Sequence, residues 1–313
     1  VAVMKIDQIF SVDNKKLAES IYGTGNTKHP GVKRTLSKPE KCISGKVFLV
    51  NRPIFNEPFN RFWMTPRDHA ELFKAKGWKH IVAHQTRNVP HTGHEWLMKY
   101  AWFAANEDLS VDPVQTGVLV SAVVGEKRLG DYIDEAILLG QASLSEAGYF
   151  SKNVHAVSFI LWDMRYAGPR EAIHHAIMRG NLGCTHHMFG RDHAGVGDFY
   201  KPYDAHHLLL QVKDKLPVKP VFVLENWYCP ICGEITNAAF CDHTSSSESF
   251  SGSLIRSILL DGVKPTKRIM RPEVYDAVMS SSKKYGFGSP FVTDEYMKGR
   301  SNIYNFKGLE VKL

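Results

Sequence analysis

The sequence predicts an α/β fold built on a mostly parallel sheet, and three observations predict it. From about residue 78 onward, short apolar runs alternate with helix-like stretches, the pattern that βαβ units produce. The two richest polar motifs directly follow apolar runs, which is where a parallel sheet binds its ligands. Of the 313 residues, 43% are hydrophobic and 23% charged, ordinary values for a chain that can bury a large core. At that length two or three domains are expected.

Taken in order, residues 1–60 are punctuated by Gly, Pro and Asn, with short apolar runs such as 47–50. They read as part of a separate, small, β-rich domain. The runs 81–83, 118–120, 157–161, 188–189 and 221–224 read as buried strands. Helical patterns lie between them near 90–105, 131–147, 169–180 and 204–214. After residue 225 the composition shifts to cysteines, then a Ser-rich stretch, then a short helix from about 252. The expected domains are therefore 1–60, 61–225 and 226–313.

The formal net charge of +7 favours anionic ligands. No dense Lys/Arg run exists, so a polybasic nucleic-acid tail is disfavoured. No apolar stretch is long enough to span a bilayer and no signal peptide is visible, so no membrane partner is expected. There are five cysteines, three of them within residues 229–241. That pattern suits a metal in a reduced, cytoplasmic compartment better than a disulfide framework.

Gln85, Thr86, Arg87, Asn88, Val89, Pro90, His91, Thr92, Gly93, His94 and Glu95 follow the first strand and open a helix. Pro90 fits a first helical turn. His91 and His94 are three apart and share one helix face. A helix N-terminus offers free N–H groups to phosphate, and two imidazoles add donors. The bland alternative is a pair of surface or metal-binding histidines, for which no third ligand is obvious. Gly190, Arg191, Asp192, His193, Ala194, Gly195, Val196 and Gly197 follow the fourth strand, and their glycines allow close backbone approach to a ligand. A tight turn with an Arg–Asp ion pair is the alternative there. Ser251, Ser253 and Arg256 form a third motif that begins a helix with hydroxyl caps, a start seen around bound triphosphates and in many plain helices.

Cys229 and Cys232 have zinc-knuckle spacing, and Cys241 with His243 completes four ligands. Four protein ligands leave no position open for water, so the zinc would be structural. Cys42 and Cys184 read as plain buried residues. Three His-His pairs, at 174–175, 186–187 and 206–207, fit bland positions and carry no assigned role.

Together these motifs resemble the ATP sulfurylase family, in its zinc-containing bacterial and archaeal form. The family pattern Gln-Thr-Arg-Asn-Pro-x-His-x-x-His-Glu is similar to residues 85–95, and Gly-Arg-Asp-His-Ala-Gly is matched letter for letter at 190–195. Residues 164–171 and 183–186 also resemble it, and the likeness runs from His29 to Glu273. Three departures are visible. The family's proline is transposed to Pro90 behind Val89, the spacing from Cys241 to His243 is short, and residues 1–60 look like the second half of a longer PUA-like domain. The last makes the chain an expected piece of a longer protein.

The resemblance implies a Rossmann-like nucleotidylyltransferase core between a partial PUA-like domain and a small zinc-binding α/β domain. It implies the reaction of ATP with sulfate to give adenosine 5′-phosphosulfate and pyrophosphate, reversibly. Sulfate is fully ionised near neutral pH and needs no base, so catalysis reduces to positioning and electrostatics. By resemblance Gln85, Arg87 and the Ala194 backbone hold sulfate, while Thr86, Arg87 and Asn88 surround the reacting centre. His91 and His94 meet the triphosphate and the leaving pyrophosphate. Gly190, Arg191, Asp192 and His193 contact the nucleotide, with Gln85, Thr86, Arg87 and Asn88 beside it. Mg²⁺ rides on the phosphates, and a homo-oligomer, first a dimer, is implied. Two rivals are another His-x-Gly-His nucleotidylyltransferase acting on a phosphate ester, and a zinc-ribbon nucleic-acid binder. Residues 226–245 contain Trp227, Tyr228 and Phe240 but no Lys or Arg, which argues against nucleic acid as a partner.

Overall fold

The computed structural model describes residues 2–106, 112, 115–250 and 252–306. In the first segment β1 (Ala2–Ser11) and β2 (Lys41–Leu49) form an antiparallel ribbon. The expected β-rich segment also holds two helices, α1 (Asn14–Tyr22) and α2 (Pro30–Leu36). Both are short and locally capped, α1 by the Asp13 carboxylate and α2 by the His29 ring with Pro30 in its first turn, so no long apolar periodicity announces them. β3 (Pro53–Phe55) follows, then α3 (Pro66–Ala75), which starts on a capping box between Thr65 and Asp68.

Five strands build the central sheet: β4 (His80–Thr86), β5 (Thr116–Val124), β6 (His155–Leu161), β7 (His186–Phe189) and β8 (Lys219–Phe222). All neighbours are parallel, in the order β6-β5-β4-β7-β8. The connecting helices are α4 (Thr92–Ala105), α5 (Asp134–Glu146), α6 (Pro169–Asn181) and α7 (Asp204–Val212). The chain thus grows outward from β4 to β6, then crosses back to the other side of β4. The reversal between β4 and β7 is the switch point at which such sheets bind ligands.

Every residue of β5 is buried, as expected for a strand covered on both faces. On one face Ile81, Ala83 and Leu119 pack with Phe73 of α3, Ala172 and Ala176 of α6 and Leu209 of α7. On the other, Val82 packs with Ala101 and Ala105 of α4, and Val118, Val120 and Ala122 share a core with Ile133 and Ile137. The polypeptide then forms a small antiparallel sheet of β9 (Trp227–Cys229), β10 (Glu234–Thr236) and β11 (Glu248–Ser249). The helices α8 (Gly252–Leu260), α9 (Pro272–Tyr285) and α10 (Asp294–Gly299) end in β12 (Tyr304–Phe306), which pairs with β3. Val274 and Val278 of α9 join the same core as α5.

A buried ion pair fixes the start of α5. Lys127 Nζ lies 2.5 Å from Asp134 Oδ1, with both side chains almost wholly buried, and Arg300 approaches the other carboxylate oxygen at 3.7 Å. Removing one partner of such a pair leaves an uncompensated charge. Asp134→Leu should therefore lower unfolding free energy by about 3–5 kcal/mol, and adding Lys127→Met should restore much of it. Denaturant titration of the single and double variants checks this; equal losses in both would contradict it.

Candidate active site and metal centre

A cavity of about 450 Å³ opens at the carboxyl ends of β4 and β7. Gln85, Thr86, Arg87, Asn88, His91 and His94 line one side of it, and Gly190, Arg191, Asp192, His193 and Ala194 line the other. Motifs about a hundred residues apart in sequence therefore share one site. The cavity also takes His84, Glu225, Asn226 and Phe250, to which no motif pointed, and Met164 and Tyr166, which lie in the family-like stretch 164–171 but carry no expected role. Arg256 is held elsewhere: it donates to the Gly130 carbonyl and stacks 4.6 Å from the Phe291 ring. Ser251 lies outside the described residues.

Helix α4 begins two residues later than the proline suggests. His91 is its N-cap, extended at φ −133°, and its Nδ1 accepts from Gly93 N at 3.1 Å. Pro90 sits before the cap instead of within the first turn. The cap fixes the tautomer: a ring accepting at Nδ1 carries its proton on Nε2. The His91 and His94 rings lie 3.8 Å apart, and Phe250 stacks on His91 at 5.3 Å.

Burial keeps these imidazoles neutral. It pulls His94 down to about 4 and His84 to about 3. His91 also falls well below its ordinary value, by burial and then by its neighbours His94 and His84. Both ring nitrogens of His84, and Nδ1 of His94, are buried without a hydrogen-bond partner among the described residues.

Arg87 is the cation at the mouth. Its Nη1 donates to the Tyr166 hydroxyl at 3.3 Å, and its Nη2 reaches the Glu126 carbonyl at 3.0 Å and Asp131 Oδ2 at 3.2 Å. Asp131 in turn accepts from Arg128 N. Arg191 holds the cavity's two acids, Asp192 at 3.4 Å and Glu225 at 3.2 Å. The loops at 164–168 and 190–195 carry left-handed residues other than glycine: Tyr166 (φ 59°), Asp192 (φ 53°) and Ala194 (φ 56°). Such backbone persists only where its surroundings hold it. Here Asp192 N donates to Pro202 O and Gly168 N donates to Ala194 O. The loop at 164–168 is also held by Glu171, whose carboxylate accepts from Arg165 N, Ala167 N and Trp162 Nε1. Burial alone would raise Glu171, but the hydrogen bonds and His175 hold it at about 2.

The metal-like cluster assembles at the turn after β9. Cys229, Cys232, Cys241 and His243 bring one ligand atom each within 4.8 Å of one another. Cys232 N donates to Cys229 Sγ at 3.3 Å, and Gly233 N closes the knuckle on Cys229 O. These four residues can hold one metal ion. Among the described residues no helix is long and apolar enough to cross a membrane.

The ATP-sulfurylase family model matches residues 60–281. The chain belongs to the ATP-sulfurylase family. A PUA-like domain model matches residues 1–52. A sulfate adenylyltransferase of Archaeoglobus fulgidus is 39% identical and is aligned over all of this chain and 71% of its own length. One from Hyperthermus butylicus is 42% identical over 89% of this chain and 68% of its own. In fold the chain also resembles a solved hexameric APS kinase from Thiobacillus denitrificans, with TM-score 0.58 and 17% identity, covering 77% of this chain and 44% of that one. The family motif around His91 and His94 therefore sits, in this member, on a buried neutral histidine cluster.

That neutrality fixes the sign of a pH dependence. Unfolded, these histidines take protons near their ordinary 6.5; folded, His94 and His84 do so only near about 4 and about 3. Between those values the unfolded chain binds more protons, so acid favours unfolding. Stability should be full above about pH 6.5 and fall as pH drops towards 4. His84→Phe should flatten that fall, and denaturant midpoints across the window would show it; an unchanged slope would mean His84 is protonated in the fold.

Proposed function

We propose that the chain transfers the adenylyl group of ATP to sulfate, giving adenosine 5′-phosphosulfate and pyrophosphate, and runs in reverse when those are supplied. One observation carries this reading: the two polar motifs meet at the switch point in a single cavity whose donors are cationic or neutral and whose acids are both tied to Arg191. Such a lining suits two anions and offers no ready base. Sulfate needs none, so the task is to bring a dianion to an α-phosphorus screened by anionic oxygens.

In this reading Gln85, Arg87 and the Ala194 backbone bind sulfate. Arg87 offers a planar fork that Tyr166 and Asp131 hold in place. Thr86 and Asn88 border the reacting phosphorus, with Thr86 Oγ1 bonded to Asn88 N at 3.0 Å. His91 presents Nε2–H, and with His94 and the α4 N-terminus it takes the triphosphate and the charge that grows on leaving pyrophosphate. Gly190, Arg191, Asp192 and His193 take the nucleotide. Mg²⁺ would be carried on the phosphates, where it would neutralise charge, because both acids lining the cavity are paired to Arg191.

The Cys3His cluster fits zinc in particular. With bonds of about 2.3 Å to sulfur and about 2.1 Å to nitrogen, a tetrahedron has edges of about 3.6–3.8 Å. Cys232 Sγ and Cys241 Sγ are 3.7 Å apart, and His243 Nδ1 lies 3.7, 3.4 and 3.5 Å from Cys229, Cys232 and Cys241. The apolar side chains that the β1–β2 ribbon exposes, Ile6, Ile9, Val47 and Leu49 among them, support a homo-oligomer, first a dimer. The reading keeps a cytoplasmic location.

The reaction is tested by measuring pyrophosphate release from ATP with and without sulfate. Release should depend on sulfate; dependence on a phosphate ester instead would point to the other His-x-Gly-His transferases. Within that assay, His94→Ala should lose about a hundredfold in kcat, about 3 kcal/mol of transition-state stabilisation. His94→Asn and His94→Gln keep a neutral donor and should recover part of it. If both are as inactive as the alanine variant while added imidazole restores the latter, the histidine carries a proton and the role is wrong.

The metal should be present at one equivalent and lie outside the chemistry. Cys229→Ser should lower Tm by on the order of 5 °C while the folded variant keeps nearly its full kcat. Elemental analysis that finds no zinc in chelator-free protein would contradict the assignment.

A further inference from the structure

Arg179, in the last turn of α6, is fully buried. Its Nη2 donates to Gln85 Oε1 at 2.8 Å and more weakly to Ser121 O at 3.4 Å, while Nε and Nη1 meet no partner among the described residues. Among the described residues no carboxylate lies within ion-pair distance of it. The neighbouring Cys184 thiol is pushed up by burial to about 12 and stays uncharged, whereas Arg179 itself falls only to about 10 and keeps its charge. A buried cation without a counter-ion is costly. The C-terminal end of the α6 dipole offsets a part of that cost. The remaining counter-charge is absent from the described residues, and the side chain in front of this guanidinium, Gln85, lines the cavity.

The orientation of the Gln85 amide follows from its partners. A guanidinium only donates, so the amide oxygen must face Arg179. The amide nitrogen then faces His175 Nδ1 at 2.9 Å, which must accept. His175 therefore holds its proton on Nε2, which lies 3.5 Å from Glu171 Oε1. His193 of the 190–195 loop completes the chain, its Nε2 lying 3.1 Å from the same His175 Nδ1. Both polar ends of the Gln85 amide are thus held from beneath, and one N–H remains for a ligand.

We propose that Arg179 and His175 are positioning residues of the oxyanion subsite: they lock the Gln85 amide with an N–H towards the bound sulfate, and the unpaired charge of Arg179 favours a dianion there. This rests on the reading that Gln85 meets sulfate. Neither residue touches the reacting atoms. A purely structural arginine would fill space in the α6 interface, and its replacement by an apolar side chain would cost stability. An unpaired buried charge predicts the opposite, since an apolar replacement of similar volume removes the desolvation cost.

Initial rates with sulfate and ATP varied in turn, together with thermal unfolding, separate these cases in full-length protein. Arg179→Met should raise KM for sulfate about tenfold or more, keep KM for ATP within about threefold, and leave Tm unchanged or higher. His175→Phe, which removes the acceptor, should raise KM for sulfate in the same way. His175→Asn, whose side-chain oxygen can stand at the Nδ1 place, should recover most of it. In a Gln85→Ala background His175→Phe should not raise KM for sulfate further, because residues acting through one group are not additive, whereas Arg179→Met should keep the part of its effect that its charge supplies. An additive increase from His175→Phe in that background, or a recovery that is absent in His175→Asn, would overturn the amide role. A lower Tm in Arg179→Met with KM for sulfate unchanged would overturn the electrostatic one, and His175→Phe decides the amide role if the arginine variant does not fold. Wild-type protein that releases pyrophosphate without regard to sulfate would instead remove the reading on which the proposal stands.

Discussion

The two-residue period of β4, placed where the sheet reverses direction, is the constraint on which the site depends. Ile81 and Ala83 face α3, α6 and α7, while Val82 faces α4. Continuing that alternation to the strand end sends Gln85 over α6 and His84 and Thr86 towards α4. One strand therefore serves both halves of the cavity. Its odd positions reach the arginine and histidine of α6, and its even positions reach the histidines of α4. A slip of one residue in β4 would exchange these faces, and its seven-residue pairing with β5 forbids the slip.

Charge in the site is unevenly distributed for a physical reason. The half-buried Arg87 is held by one carboxylate and the exposed Arg191 by two, which sets their geometry and lowers their field. Deeper in, the histidines lose their charge to burial, while Arg179 keeps its charge because an arginine starts from so high a value. The result is a rim of oriented ion pairs over a floor of neutral donors and one unpaired cation. In the proposed reaction an incoming polyanion would meet donors already in place, which need little rearrangement as charge moves.

The N-terminal segment is part of this arrangement. His29 accepts from Gly31 N and Val32 N at Nδ1, so its Nε2–H donates to the Tyr166 carbonyl at 2.9 Å. Gly31 is required by the same contact, since a Cβ there would stand 2.5 Å from the Arg165 carbonyl. Arg34 adds a bond to Met164 O. Three residues of α2 and its cap thereby brace the left-handed Tyr166, whose hydroxyl meets Arg87. The short His-Pro-Gly-Val run is explained by this brace, outside the sheet altogether.

The sequence by itself determined the alternation of strands and helices, the two motifs at strand ends and the four metal-ligand candidates. These are local: an apolar run, a helix start and a Cys-x-x-Cys spacing are fixed by near neighbours in the chain. It also pointed to His91 and His94, although the proline hid the true cap by two residues. The strand order, and hence the meeting of residues 85–94 with 190–194 in one cavity, was decided only by the tertiary structure, because parallel neighbours are joined through crossovers whose direction no local pattern encodes. The same holds for His175, Arg179, Asp131 and Phe250, and for the partner of Tyr166, which itself lies in the family-like stretch 164–171. Each is an ordinary residue on its own helix or loop, and what sets it apart is the group facing it from a distant element: Gln85 before Arg179, Arg87 before Asp131 and Tyr166, and the His91 ring before Phe250.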